Sequence, residues 1–340
     1  MPQASVPLER KVVVVTGASS GLGRATALAF AARRCRVVLA ARRLPELTDV
    51  AEACRRLGGD AHVVVTDVTR EADVDRLLAE ILSRWQRIDV WINNAGTTLF
   101  GKLEDGDFSL HRRVIETNLI AATYCARVVV PVFRRQGAGM LINIGSVLSE
   151  VGQAFVPSYV ISKFGVLGLA EALRVELADY PDIHICSMLP YTIDTPHFAD
   201  GANQIGKRAH AMPPVQEPER VAEAIVGLAM NPRRQRFVPR YVVLGLIVHR
   251  LWPRLTSRVL LHALERFHFA EPQAAAVGNL YQASAEPGAI HGGRRPQATF
   301  PELLGWVIGD IAGMAHAALL RRKRLAASGR PSGVLPTSPD

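Results

Sequence analysis

Residues 12–15 are four consecutive valines, followed by a glycine-rich turn and then by an alanine-rich stretch over residues 24–34. A short β-branched run without polar alternation predicts a strand buried on both faces, and the stretch after the turn repeats its apolar residues at helical spacing. The same texture returns along the chain. Further strands are predicted at 37–40, 62–65, 90–93, 140–144 and 183–188, with helical patterns between them. Strands buried on both faces and alternating with helices predict an α/β fold, a doubly wound parallel sheet with helices on each side.

The alternation runs to about residue 238, where the texture changes. The expected organisation is an N-terminal tail over 1–9, one main domain over 10–238, a helical extension over 239–325 and a disordered tail over 326–340. Within the extension, 241–264 predicts one or two amphipathic helices, and 271–300, rich in Gly, Pro, Ala and Gln, predicts an irregular linker. Residues 303–320 predict an apolar helix of 18 residues. Its length of about 27 Å falls short of a hydrocarbon core of about 30 Å. Asp310 and His316 interrupt it as well, so a full membrane span is disfavoured.

Gly305, Gly309, Gly313 and Ala317 make a stripe of small residues suited to close packing on the main domain or on another subunit. Arg321, Arg322, Lys323 and Arg324 follow the helix directly, and Trp252 stands among arginines. Those features fit the other reading, peripheral attachment to an anionic membrane.

At 340 residues, 49% of them hydrophobic, the chain can bury a large core, and wholesale disorder is excluded. Cys35, Cys54, Cys125 and Cys186 lie far apart without metal-ligand spacing. Reduced, buried thiols in a cytoplasmic setting are therefore expected, and no metal site. The first apolar run is too short for a secretory signal. A formal charge of +9 raises nucleic acid as a partner, but no helix-turn-helix, finger or aromatic-basic sheet motif accompanies it. An anionic cofactor or a membrane surface accounts better for the charge.

The turn between the first strand and the first helix reads Thr16-Gly17-Ala18-Ser19-Ser20-Gly21-Leu22-Gly23. Glycines there let the backbone approach a pyrophosphate, and the helix N-terminus favours its charge; a tight packing turn is the plainer alternative. The end of the second strand, where a carboxylate would bind a ribose 2′-hydroxyl, holds Ala41 followed by Arg42 and Arg43. A guanidinium can pair with a 2′-phosphate that a carboxylate would repel, so NADP(H) is expected rather than NAD(H). The plainer alternative leaves both arginines solvated in a surface loop. Asp67, followed by Val68 after the third strand, is placed to face an adenine or to cap the turn at Thr69.

Tyr159 and Lys163 stand four apart in a helical pattern, so their side chains share one face. An ammonium beside a phenol favours the phenolate and would lower a pKa whose reference value is about 10. With Asn93-Asn94-Ala95-Gly96 after the fourth strand, Ser146 after the fifth and Tyr159-Val160-Ile161-Ser162-Lys163 beyond it, residues 10–235 resemble the short-chain dehydrogenase/reductase family. The resemblance implies a single Rossmann-type catalytic domain with about seven parallel strands. It implies an oxidoreductase acting between a carbonyl and an alcohol, with Tyr159 as acid or base and Ser146 holding the substrate oxygen. Lys163 would also bind the nicotinamide ribose, and Asn118 would help position a water in a proton relay, a purely structural asparagine being the alternative. Asn94, Ala95 and Gly96 would line the cofactor, and Pro190, Ile193 and Thr195 would bracket its carboxamide.

One position departs from the family pattern: Tyr191 follows Pro190 where a glycine is usual, and its ring is expected to reshape the floor of the site. Residues 197–216 are expected to form a substrate lid. The expected partners are a small carbonyl or alcohol substrate, hydrophobic if the extension meets a membrane, and a second copy of the chain through the helices bearing Asn118 and Tyr159. A non-catalytic dinucleotide-binding regulator or membrane-associated scaffold is the competing class, against which the intact Ser146, Tyr159 and Lys163 speak. An epimerase or dehydratase is a third, less compatible with the spacing of Gly17, Gly21 and Gly23.

Overall fold

A computed structural model describes residues 7–293 and 298–327. Its central sheet has seven strands, β1 (Val12–Thr16), β2 (Arg36–Ala41), β3 (Asp60–Val65), β4 (Val90–Asn93), β6 (Gly139–Ile144), β7 (Ile183–Pro190) and β10 (Gln235–Val238). They run in the order β10-β7-β6-β4-β1-β2-β3, every neighbouring pair parallel. The predicted α/β architecture is therefore present, with each predicted strand in place and most a residue or two longer. The order reverses between β1 and β4, and a crevice at the C-terminal ends of the strands is the expected ligand site of such a sheet.

One face of the sheet carries α1 (Gly21–Ala31), α2 (Leu44–Arg56) and α8 (Pro218–Met230), whose Phe30, Leu47 and Ile225 are fully buried against Val13, Val15 and Leu39. The other carries α3 (Glu71–Trp85), α5 (Ala121–Gln136) and α6 (Pro157–Glu176), packed on Val12, Val14 and Trp91. Alternate residues of the valine run thus feed opposite cores, which is why the run has no polar position. Ahead of α5, α4 (Phe108–Ile115) continues into it through a π-helical turn at Glu116–Ile120. Among the described residues Phe108–Gln136 is the one helical run long and apolar enough to cross a membrane, and here it lies against the sheet. The helix expected over 24–34 begins earlier, at Gly21, because the glycine turn supplies its first turn; it ends at Ala31, before Arg34 turns the chain at φ 57°.

Two small sheets tie the loops above the strand ends. β5 (Leu99–Phe100) pairs with β8 (Ala202–Asn203), and β9 (Lys207–Ala209) pairs with β11 (Phe269–Pro272). The segment 197–216 holds α7 (His197–Asp200), β8 and β9, and is fastened through β11 to the extension. The amphipathic stretch expected over 241–264 forms two helices, α9 (Val242–Leu251) and α10 (Pro253–Phe267). They break at Trp252 because the following proline lacks an N–H and excludes a continuous helix. Residues 273–293 then run without regular structure over the strand ends, as the strap described below.

The chain divides into two compact units, one ending at Gln297 and one starting at Ala298. Taken by itself, the second consists of α11 (Phe300–Ala327), a 28-residue helix that contains the predicted 303–320 and continues through the basic quartet. The side chains of Arg321 to Arg324 and the expected tail beyond residue 327 lie outside the described residues. All four cysteines are free and buried, and burial pushes the thiols of Cys35, Cys54 and Cys125 up to about 12.

Candidate active site

Gly17 holds φ 70° so that its N–H can turn back to the carbonyl of Ala40 at 2.7 Å. A Cβ at Gly23 would stand 2.1 Å from the carbonyl oxygen of Gly17, so only glycine lets α1 start this close to the turn. Asn94 closes the other side: its Nδ2 donates to the Thr16 carbonyl at 2.8 Å, while the N–H groups of Asn94 and Ala95 reach the Thr16 hydroxyl at 3.0 and 3.1 Å. The result is a cavity of about 320 Å³ along the strand ends. Every residue expected to touch the cofactor lines it: Gly17, Ser19, Ser20, Gly21, Leu22, Gly23, Arg42, Arg43, Asp67, Val68, Asn94, Ala95, Gly96, Tyr159, Lys163, Pro190, Ile193 and Thr195.

The arginines are not solvated. Arg42 donates to the carbonyls of Asn279 at 3.1 Å and Tyr281 at 3.3 Å, and Arg43 to those of Ser284 at 3.2 Å and Glu286 at 2.7 Å. Arg43 also pairs with Glu46 at 3.3 Å. These carbonyls belong to the strap, which the sequence shows only as an irregular linker. Farther along the strap, the N–H of Gly21 donates to Ala289 at 2.8 Å, and Arg24 holds the carbonyl of Gly288. His291, near the strap's end, lies 3.6 Å from Asp194, 3.4 Å from Glu217 and 3.0 Å from Glu219. Asn279, Leu280, Ala283 and Ser284 thus become an outer wall of the cavity. Asp67 accepts from both the N–H and the hydroxyl of Thr69, the turn-capping alternative, while still lining the cavity.

At the inner end of the cavity stand Ser146, Tyr159 and Lys163. Ser146 caps a short 3-10 turn, its Oγ accepting from the N–H of Leu148 at 3.1 Å. Its hydroxyl also reaches the Tyr159 phenol oxygen, where it favours the phenolate. Lys163, 5% exposed, donates from Nζ to the carbonyl of Ile144 at 2.8 Å and sits 5.4 Å from the centre of the Tyr159 ring. The expectation that this lysine lowers the phenol's pKa fails for the cofactor-free site. Burial pushes Tyr159 up to about 12 against a smaller pull from the Ser146 hydroxyl, and burial brings Lys163 down to about 8. Burial costs each group its charged form, which raises the phenol and lowers the ammonium.

Asn118 does not line the cavity. Its Nδ2 donates to the Thr97 carbonyl at 2.9 Å and to the Ser162 hydroxyl at 3.0 Å, and its Oδ1 accepts from the Thr97 N–H at 2.8 Å. The amide thereby locks the loop after β4 to the helix bearing Tyr159.

Beyond Tyr159 the cavity is walled by Phe100, Leu148, Val156, Phe198 and Met212, with Tyr191, His197 and His268 among them. Burial pushes the Tyr191 phenol up to about 12. His197, 5.8 Å from the Tyr159 ring, is held down at about 4 by burial and by the Lys163 charge, and so stays neutral. The sequence reading missed His197 and His268 as site residues, and also Arg113, whose guanidinium joins the Leu280 carbonyl at 2.9 Å to the Thr69 hydroxyl at 2.9 Å. Arg113 lies one turn before the Glu116-Thr117-Asn118 stretch, and that spacing was the signal for it; nothing in the sequence links His268 to Tyr159.

The short chain dehydrogenase family model matches residues 11–205. An uncharacterised oxidoreductase of Bacillus subtilis, YxnA, is 33% identical over 267 residues, 78% of this chain and 75% of that protein. An alcohol dehydrogenase from Thermococcus sibiricus, solved with 5-hydroxy-NADP, is 25% identical with a TM-score of 0.59 over 67% of this chain and 95% of its own. A Burkholderia phymatum short chain dehydrogenase/reductase, solved with NAD, shares the fold at 20% identity, with a TM-score of 0.66 over 79% of this chain and 99% of its own. The matched span carries the glycine turn, Asn94, Ser146, Tyr159 and Lys163 in one cavity, and the chain belongs to the short-chain dehydrogenase/reductase family of oxidoreductases.

Proposed function

We propose that the chain transfers hydride between NADP(H) and a carbonyl or alcohol carbon, with Tyr159 as the acid or base. The observation that carries this reading is one continuous cavity, with the glycine turn, Arg42 and Arg43 at one end and Ser146, Tyr159 and Lys163 at the other. The residues fit a dinucleotide: the start of α1 offers backbone N–H groups beside glycines, and the end of β2 offers two guanidinium groups and no carboxylate.

Bound there, the nicotinamide supplies or accepts the hydride. During reduction the neutral phenol of Tyr159 gives its proton to the carbonyl oxygen, which the Ser146 hydroxyl holds by a donated hydrogen bond. During oxidation the phenol must first lose its proton, and the charge of Lys163 at 5.4 Å favours that loss. Lys163 lies within the same cavity and has donors left after its bond to Ile144 with which to hold the nicotinamide ribose. The Asn118 side chain is committed to Thr97 and Ser162, so a water in a proton relay would be held through its main-chain carbonyl.

Turnover followed by nicotinamide absorbance against aldehydes, ketones and polyols, with NADPH and NADH in parallel, tests the assignment. NADPH-preferring activity that vanishes in Tyr159→Phe supports it. Tight NADPH binding with no turnover on any compound sinks it in favour of a non-catalytic regulator.

We also propose that the α9–α10 pair rests on an anionic membrane surface, as a peripheral contact by a cytoplasmic enzyme. Leu244, Ile247, Leu251 and Trp252 are exposed there beside the exposed Arg250, Arg254 and Arg258. Cosedimentation with anionic vesicles, lost in Leu244→Ser with Trp252→Ser, is the expected result; binding retained in that double variant refutes the contact. A homodimer through the helices bearing Asn118 and Tyr159 is proposed from the exposed Ile120, Ile161 and Phe164. Sedimentation of Phe164→Asp as monomer, against a wild-type dimer, checks it.

A further inference from the structure

Pro196 precedes the short helix α7, and the N–H groups of Ala199 and Asp200 both donate to its carbonyl at 2.8 Å. The N–H of Gly201 donates to the carbonyl of His197 at 3.1 Å, and that of Ala202 to Thr98 at 2.9 Å. The backbone at His197 is thereby fixed against the loop after β4. Its ring centre lies 5.8 Å from that of Tyr159, the charge of Lys163 acts on it, and it meets Phe198 edge-on at 6.2 Å.

Burial is the main reason that the His197 pKa falls to about 4, yet the residue keeps partial exposure, so the open part of the ring faces the cavity it lines. Among the described residues neither ring nitrogen finds a hydrogen-bonded partner, and neither is sealed off as both nitrogens of His111 are. Tyr191, a second polar ring in the same wall, already has Thr192 as a partner. At neutral pH the His197 imidazole is uncharged, with one N–H donor and one nitrogen acceptor. It is too weak a base to compete with Tyr159 for the transferred proton, so what it offers is a hydrogen bond.

We propose that His197 is a specificity-determining residue that hydrogen-bonds a second, uncharged oxygen next to the reacting carbon, so that the preferred substrates are α-hydroxy ketones and the vicinal diols they give on reduction. The inference rests on placing the reacting oxygen at Tyr159. Hydride then adds to the carbonyl carbon and the Tyr159 proton to its oxygen, while the neighbouring hydroxyl stays bonded to the imidazole. Ring centres 5.8 Å apart leave room for one small substrate fragment between phenol and imidazole, and oxygens on adjacent carbons fill it. The hydrocarbon remainder meets the apolar wall of Phe100, Leu148, Val156 and Met212. A site that hydrogen-bonds a substrate hydroxyl discriminates against an analogue lacking it, because its own polar group is then left unpaired.

The matched probes are 2-hydroxycyclohexanone, 4-hydroxycyclohexanone and cyclohexanone, which differ only in the presence and place of one hydroxyl. Equilibrium binding to the NADPH-loaded full chain and steady-state turnover are measured with each, in wild type, His197→Phe and His197→Asn. The readout is the ratio of kcat/KM for the 2-hydroxy ketone to that for cyclohexanone. The greater intrinsic reactivity of an α-hydroxy ketone cancels when that ratio is compared between proteins, and a general structural loss lowers both substrates alike. His197→Phe is expected to lower the ratio about three- to tenfold, and His197→Asn, which keeps a donor and an acceptor, to lower it less. The 4-hydroxy ketone is expected to follow cyclohexanone. If His197→Phe fails to fold, the asparagine variant still carries the comparison, with a reduced ratio expected. A ratio equal in all three proteins, a 4-hydroxy ketone that loses as much as the 2-hydroxy ketone, or binding of none of the three overturns the proposal. A His197-dependent preference in binding without turnover leaves it standing and instead refutes the catalytic role of Tyr159, so the two failures are distinct.

Discussion

The N–H of Gly21, in the first turn of α1, donates to the carbonyl of Ala289 at 2.8 Å, bringing the glycine turn and the C-terminal strap into direct contact. The start of α1 is where a phosphate is stabilised in this fold, so the strap closes over the crevice that a dinucleotide has to enter.

Cofactor release should therefore require the strap to lift. A Cβ at Gly288 would stand 2.3 Å from the carbonyl oxygen of Ser19, which a backbone atom cannot accommodate without the strap shifting. Loss of one or two strap hydrogen bonds in Gly288→Ala should speed NADPH release by roughly five- to tenfold in stopped-flow fluorescence. Gly168→Ala, where an added Cβ meets nothing within 4 Å, serves as control. An unchanged release rate in Gly288→Ala would mean that the strap does not gate the cofactor.

The choice between NADP and NAD turns on Arg42 and Arg43. Both guanidinium groups now donate to neutral strap carbonyls, and a 2′-phosphate is a stronger acceptor than either. Arg42→Ala should weaken NADPH by about ten- to a hundredfold. Because Arg42 also holds the strap, NADH binding should fall too, though by less, and the ratio of the two dissociation constants is the readout. A ratio that stays at the wild-type value in both Arg42→Ala and Arg43→Ala would exclude a 2′-phosphate contact.

The inner strands of the sheet were legible because they are buried on both faces and so read as largely apolar runs; Val12 to Val15 show the rule, whereas the edge strand β10, with Gln235 and Arg236, is only partly buried. The glycine turn was legible because a positive φ at Gly17 and a 2.1 Å approach at Gly23 leave no other residue type. The strap was not, because it binds mainly through backbone carbonyls, at Asn279, Tyr281, Ser284 and Glu286, which any sequence possesses. His268 reaches the pocket only through the pairing of β9 with β11, a contact made between distant segments. The phenol of Tyr159 was misjudged for a related reason: spacing shows that a lysine is near, but not that both groups are dry.

Asn118 is a structural keystone whatever its part in a proton relay. Asn118→Ala would leave the N–H and carbonyl of Thr97 and the hydroxyl of Ser162 without the partners they have in a buried site. Orphaned buried groups of this kind cost about 1–3 kcal/mol each, so a loss of at least about 2 kcal/mol is expected in urea denaturation of the cofactor-free protein. A change below about 0.5 kcal/mol, the usual range for surface substitutions, would contradict the bonding pattern.

Lys163 gives the cofactor-free protein a particular pH dependence. Its folded pKa is about 8 against an ordinary value of 10.5, so between those values the unfolded chain holds a proton that the folded chain has released. Stability from this group therefore rises with pH across that window and is constant below it, where both states are charged. The shift corresponds to at most about 3–4 kcal/mol, since one pKa unit is about 1.4 kcal/mol. Lys163→Met removes the effect. Urea denaturation of both proteins should show the variant's advantage over wild type shrinking steadily from pH 8 to pH 10, where a lysine held charged by a partner would leave it unchanged. A difference that stays constant over that range would mean that Lys163 keeps its proton in the folded protein, and with it a stronger pull on the Tyr159 phenol than burial alone allows.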